Sequence, residues 1–176
     1  MLRILNITAP DINNGNGIRV TLWVAGCKHY CKGCHNQWTW KYEQGDEVNE
    51  NFFTKLKNCA DKEYISGLTL SGGDPLYQDK AGLDELKKII TWFKNEYPEK
   101  NIWLYTGFTL EELDKPENSD RKEIFSLCDI VVEGRFVENK HNPTLAFRGS
   151  ENQRIVDVKK YISGKADYLL DDILDK

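Results

Sequence analysis

Four strand-like segments of this chain each run directly into a short stretch of unusual, glycine-bearing sequence. RVTLWVA leads into GCKHYCKGC, GLTL into SGGDP, NIWLY into TGF, and DIVV into EGR. Between about residues 49 and 133 such strands alternate with helical patterns, and a parallel neighbour needs a crossover of that kind. The chain is therefore constrained to an α/β fold, and the glycine-bearing stretches fall at the carboxyl edge of the sheet, where parallel folds build their sites. Strands are expected at residues 2–7, 19–25, 67–71, 101–106, 129–133 and 154–158 from their β-branched and aromatic content. In KAGLDELKKIITWFKNEYP, the apolar residues Leu83, Leu86, Ile90 and Phe93 recur at helical spacing, and Pro98 closes the run. Further helices are expected at residues 49–60 and 121–127, and in a short turn that a Thr109 and Glu112 capping box would open. A closing amphipathic helix is expected in ADYLLDDILDK, with Leu169, Leu170, Ile173 and Leu174 on one face. Complete eight-stranded barrels take about 250 residues. With 176 residues and about six mainly parallel strands, a partial, open (β/α) barrel fits better. No repeat, low-complexity tract or linker divides it, so residues 1–176 read as a single domain.

Hydrophobic residues make up 40% of the chain and aromatics 11%, enough for a folded core. The net charge is -4, with acidic and basic residues interleaved, which argues against nucleic acid or an anionic membrane as a partner. The first apolar run is too brief for a secretory signal, and no segment approaches a membrane span, so a cytoplasmic protein is expected. There are five cysteines, an odd number. In a reducing compartment, clustered thiols serve metal or redox chemistry more often than disulfides.

Three of the five are Cys27, Cys31 and Cys34, spaced CxxxCxxC. On a helix the first and last would stand about 10.5 Å apart along the axis, nearly in line. A compact polynuclear cluster needs its ligands at the corners of a triangle, and Gly26 and Gly33 favour a loop that wraps. Iron-sulfur cubes usually take four cysteines, so three would leave one iron open to an outside ligand. The spacing also suits structural zinc held by the three thiols with His29 or His35, and spacing alone leaves both readings standing. Likewise SGGDP can be only a turn, or a backbone that a ligand approaches closely.

Taken together, GNGIRVTLWVAGCKHYCKGCHN with the QWTW that follows, TLSGGDPL, CDIVVEGRF and RGSENQRIVDV resemble the radical S-adenosylmethionine superfamily over about residues 2–159. Within it they resemble the activating proteins of glycyl radical enzymes, and the last two stretches and the small size point to those serving anaerobic ribonucleotide reductases. The resemblance implies a partial barrel of the radical S-adenosylmethionine type and an oxidoreductase. In it, Cys27, Cys31 and Cys34 would hold three irons of a 4Fe-4S cluster, and the methionine moiety of S-adenosylmethionine would chelate the fourth. Gly33, Cys34 and His35 would flank the cofactor, while Gly72 and Gly73 would receive its amino group. Asp74 stands where many relatives carry Glu, which leaves the reach of its contact in question. Glu133 and Arg135 would lie near the cofactor at their strand end, or form a surface charge pair. The implied reaction is reductive cleavage of the cofactor to a 5'-deoxyadenosyl radical, which would take hydrogen from one glycine of the reductase large subunit. A low-potential donor such as flavodoxin would supply the electron. Rival readings are an activator of another glycyl radical enzyme, such as a formate-lyase type, and a non-catalytic, zinc-stabilised binding module.

Other residues receive plainer readings. Cys59 and Cys128 are expected in the core, His141 in solvent and Thr106 in a turn. Arg148, Asn152, Gln153 and Arg154 could form a solvated turn or contact the cofactor or the partner.

Overall fold

The structure is a computed structural model, and it describes residues 1–170. Seven strands form one open sheet in the order β3-β1-β2-β4-β5-β6-β7. They are β1 (Arg3–Asp11), β2 (Ile18–Val24), β3 (Asp46–Glu47), β4 (Ile65–Gly72), β5 (Asn101–Thr106), β6 (Ile130–Glu133) and β7 (Arg154–Asp157). The pairs β2 with β4, β4 with β5, and β5 with β6 are parallel. The outer pairs, β1 with β2, β1 with β3 and β6 with β7, are antiparallel. The sheet does not close, and only its centre is parallel. The one strand beyond the six expected, β3, is two residues long and carries no hydrophobic alternation from which to predict it.

The helices are α1 (Glu50–Ala60), α2 (Lys80–Glu96), α3 (Leu110–Leu113), α4 (Ser119–Leu127) and α5 (Val158–Ile162). Their starts follow from local chemistry. Asn49 accepts from the Phe52 N–H to cap α1, and Asp79 accepts from the Gly82 N–H to cap α2. Both bonds of the expected capping box open α3: Thr109 accepts from the Glu112 N–H, and the Glu112 carboxylate accepts from the Thr109 N–H.

Alternation along the strands separates two faces. Val20, Leu22, Val24, Leu68, Leu70, Ile102, Leu104, Val131 and Val156 point to the helices and join Leu56, Leu86, Ile90, Phe93 and Phe125 in the main core. Each such fully buried aliphatic contributes roughly 1.5–3 kcal/mol. The opposite face carries Arg19, Thr21, Thr69 and Ser71, all buried, with a small apolar cluster of Trp103, Val132 and Ile155.

Two expectations need correction. The segment expected as a strand to residue 158 ends at Asp157, whose side chain accepts from the Lys160 N–H and starts α5 at Val158. The expected closing helix is not helical at residues 166–170. There Leu169 bridges Val156, the Leu170 N–H donates to the Ile155 carbonyl at 2.8 Å, and the Asp157 N–H donates to the Tyr168 carbonyl at 2.8 Å. Pairing with an open sheet edge satisfies these backbone groups and brings Leu170 against Trp103, Val132 and Ile155. Ile173 and Leu174 lie outside the described residues. Among the described residues, no helix is long and apolar enough to cross a membrane.

Candidate functional site

The cysteine segment leaves β2 as a loop, as the glycines predict. Gly26 has φ +98°, and a Cβ there would meet the Tyr42 ring at 2.1 Å, so only glycine fits the turn. The Gly26 N–H donates to the Thr39 carbonyl at 2.7 Å and the Cys27 N–H to the Trp40 carbonyl at 3.2 Å, so the chain doubles back on itself around the thiols. After β4, Gly73 passes so close to this loop that a Cβ would stand 2.4 Å from the Gly26 carbonyl oxygen. The Gly73 N–H donates to the Val24 carbonyl and the Asp74 N–H to the Gly26 carbonyl, both at 2.8 Å. With these N–H groups engaged, the stretch has carbonyl oxygens rather than N–H groups to offer a ligand.

These segments and the ends of β5 and β6 enclose a cavity of about 190 Å³. Cys27, Cys31, Cys34 and His35 line it from the loop; Ser71, Gly72, Gly73 and Asp74 from the end of β4; and Thr106, Gly107, Gly134 and Arg135 from the ends of β5 and β6. Two expected site residues do not line it. Gly33 turns at φ +76° against the Glu138 side chain. Glu133 is buried and paired with Arg154, and its Oε2 finds no hydrogen-bond partner among the described residues. Burial pushes the Glu133 carboxyl up, and Arg154 offsets only part of that. A larger groove, about 800 Å³, lies against β1, β3 and α1. It gathers none of the expected site residues, so volume alone does not mark the site.

Asp74 is the most heavily bonded group here. Its carboxylate accepts from His29 Nε2 at 2.8 Å, the Gly107 N–H at 2.8 Å, the Leu76 N–H at 2.8 Å, and Thr106 Oγ1 at 3.0 Å to each oxygen. Thr106 is thus a strand-end residue bonded into the site rather than a simple turn residue. His29, between the first two cysteines, accepts at Nδ1 from Arg135 Nε at 3.2 Å. Arg135 in turn forks onto Glu112 at 3.1 and 2.8 Å.

Burial pushes the Cys27 thiol up to about 12, helped by the Asp74 charge, and burial with the neighbouring Cys34 raises Cys31. For Cys27 and Cys31 this favours the thiol, and positive metal charge is what would make thiolates of them. No disulfide forms among the five cysteines. Cys128 is buried and Cys59 half-buried, and neither lines the cavity. His141 is exposed yet lies edge-on to His35, with ring centroids 5.7 Å apart. Of the donor-rich stretch after residue 147, Gly149 and Gln153 reach the cavity. Gln153 donates to the Gly134 carbonyl at 2.9 Å and Asn152 to the Arg135 carbonyl at 2.8 Å, bracing the end of β6.

Residues 13–156 match the family described as a 4Fe-4S single cluster domain. The chain is 39% identical over 158 residues to the anaerobic ribonucleoside-triphosphate reductase-activating protein of Haemophilus influenzae, covering 88% of this chain and 97% of that one. To the protein of the same name from Vibrio cholerae it is 40% identical over 149 residues, 82% and 91% of the two chains. To that of Escherichia coli it is 37% identical over 145 residues, 81% and 90%. The chain belongs to the family of anaerobic ribonucleoside-triphosphate reductase-activating proteins. Every residue lining the cavity of this activating-protein chain falls within the matched cluster domain. What sequence reasoning missed is the chain of contacts from Glu112 through Arg135 and His29 to Asp74. The capping box flagged Glu112, but only for its local bond.

Proposed function

We propose that this chain is a radical S-adenosylmethionine oxidoreductase that installs a glycyl radical on the large subunit of an anaerobic ribonucleotide reductase. The observation that carries the proposal is the cavity at the carboxyl edge of the parallel strands, where three thiols and no other cysteine meet the Gly72 and Gly73 backbone. Relatives at 37–40% identity carry the activating-protein name, and the matched domain is a 4Fe-4S one. On this reading the open sheet is a partial barrel of the radical S-adenosylmethionine type.

Soft thiolates suit iron-sulfur ligation. Cys27, Cys31 and Cys34 would hold three irons of the cluster, leaving one for the amino and carboxylate groups of the cofactor's methionine moiety. When bound, cluster and cofactor would supply one-electron reductive cleavage of the sulfonium carbon–sulfur bond and, through it, hydrogen-atom abstraction from a glycine Cα of the reductase. The chain's own part is to bind, orient and exclude water. Carbonyl oxygens at Gly72 and Gly73 can accept from the cofactor's ammonium group, and His35 and Arg135 line the same space. Asp74 and Glu133 serve through the frame: Asp74 joins the loop to β4 and β5, while Glu133 pairs with Arg154 across the edge of β6 and β7. A low-potential donor such as flavodoxin would supply the electron.

A zinc-stabilised binding module is the rival. Both ring nitrogens of His29 are engaged by Asp74 and Arg135, which removes it as a fourth ligand. The test is anaerobic reconstitution with iron and sulfide, reduction, and electron paramagnetic resonance with S-adenosylmethionine and the candidate reductase. A glycyl signal that requires every component supports the proposal. A protein that takes up zinc without sulfide, or a complete mixture with no glycyl signal, refutes it.

A further inference from the structure

His29 stands between two of the three cavity thiols and lines the cavity with them, its side chain only 4% exposed. The ring packs edge-on against Tyr77 and Phe108, with centroids 4.8 and 4.9 Å away, and lies so close over Gly107 that a Cβ there would meet it at 2.4 Å. Its hydrogen bonds fix its tautomer. Arg135 Nε carries a hydrogen and can only donate, so His29 Nδ1 accepts, and the ring hydrogen sits on Nε2, pointing at Asp74. The imidazole thus accepts on one side and donates on the other.

The chain of contacts continues both ways. Beyond Asp74 it reaches Thr106 and Gly107 at the end of β5. Beyond Arg135 it reaches Glu112, on the first turn of α3. Glu112 does not line the cavity. Burial works to raise its carboxyl, but the Arg135 fork and the Thr109 N–H outweigh burial and hold it below its ordinary value. One imidazole thus links the cysteine loop to the ends of β4, β5 and β6 and to the cap of a helix.

We infer that His29 is a positioning residue for the thiols, held by Arg135 and Glu112 on one side and Asp74 on the other, so that the cap of α3 sets the order of the cysteine loop. The inference rests on the proposed cluster reading for its purpose, while its geometry stands without a metal. The loop has no helix or strand of its own between Val24 and the 3-10 turn at Gln37–Thr39, so side-chain ties must supply what backbone ladders do elsewhere. With His29 fixed, Cys27 and Cys31 approach the cavity from a preset frame, which lowers the ordering cost of binding.

The test uses Glu112→Gln in the full-length chain. Glutamine at this position keeps the capping box but cannot form the charged fork to Arg135. Alkylation of each cysteine in the metal-free, reduced protein is followed by mass spectrometry. Cys27 and Cys31 are expected to label about fivefold faster in the variant, the size of effect that loss of one hydrogen bond of ordinary strength gives. Cys59 and Cys128 keep their rates, reporting an intact fold, and Glu111→Gln, which weakens the Arg154 contact and leaves the Arg135 fork in place, changes none of them. His29→Leu alone should label as fast as Glu112→Gln, and the double variant no faster than either, because both break one chain of contacts. In the reconstituted protein, Glu112→Gln should shift the resonance spectrum of the reduced cluster. Wild-type labelling in Glu112→Gln, or additive effects in the double variant, would overturn the inference. If labelling follows the pattern but no iron and sulfide are taken up, His29 positions the thiols as inferred and the cluster reading fails instead.

Discussion

The two faces of the sheet obey different rules. On the helix side, the central strands present Val20, Leu22, Val24, Leu68, Leu70, Ile102, Leu104 and Val131, all aliphatic and buried, and α1, α2 and α4 cover them. On the other side, the same strands bury Arg19, Thr21, Thr69 and Ser71, and the apolar cluster is confined to Trp103, Val132, Ile155 and their neighbours. Arg19 shows how such a face is kept solvent-free. Its guanidinium donates to Thr69 Oγ1 at 2.6 Å, the Leu68 carbonyl at 2.8 Å and the Asn16 carbonyl at 2.9 Å, and it lies over the Trp103 ring. Burial pulls its pKa down to about 10, still well above neutrality, so the charge is retained. One face holds the fold by area, the other by satisfied polar contacts, and the cavity opens at the edge where the two meet.

The sharpest way to separate the halves is to remove a cavity thiol. Cys31→Ala should lose iron and sulfide binding after reconstitution and all glycyl radical formation, while its urea denaturation midpoint stays near that of the metal-free parent. A large fall in that midpoint would mean the loop carries the fold as well as the site. The next largest effect belongs to the helix side. Leu70→Ala should cost about 2–5 kcal/mol in denaturant unfolding, as cavity-forming substitutions do, and the metal-binding loop should be untouched until the protein unfolds. Arg19→Met should cost less, about 1–3 kcal/mol, because it leaves the Leu68 and Asn16 carbonyls without their donor; a stabilising result would show that this face is not held by polar satisfaction. The smallest change is expected at Thr21, whose hydroxyl is buried and finds no partner among the described residues. Thr21→Val should stay within about 1 kcal/mol of the parent and lean toward stabilisation, checked by the same urea curves.

The helix-covered half was the more legible in sequence. Leu83, Leu86, Ile90 and Phe93 repeat at the spacing of one helix face, and the central strands declare themselves by β-branched residues. β3 is too short to show a pattern, and α5 opens inside what reads as one apolar run. Leu169 and Leu170 suit a helix face or an edge pairing equally well by spacing; the free edge of β7 decides for the second. At the site, the cysteines, the Gly72 and Gly73 pair and Arg135 could be placed because each follows a strand. His29 and Glu112 could not be joined, since their link runs through Arg135 across 106 and 23 residues of sequence, and no local pattern encodes a hydrogen bond of that span.

The most direct measurement is the resonance spectrum of the reduced, reconstituted protein before and after S-adenosylmethionine is added. A binding site with three thiols and an iron left for the cofactor predicts a changed spectrum on addition, in the parent but not in Cys31→Ala. An identical spectrum with and without cofactor, from a fully loaded cluster, would contradict it.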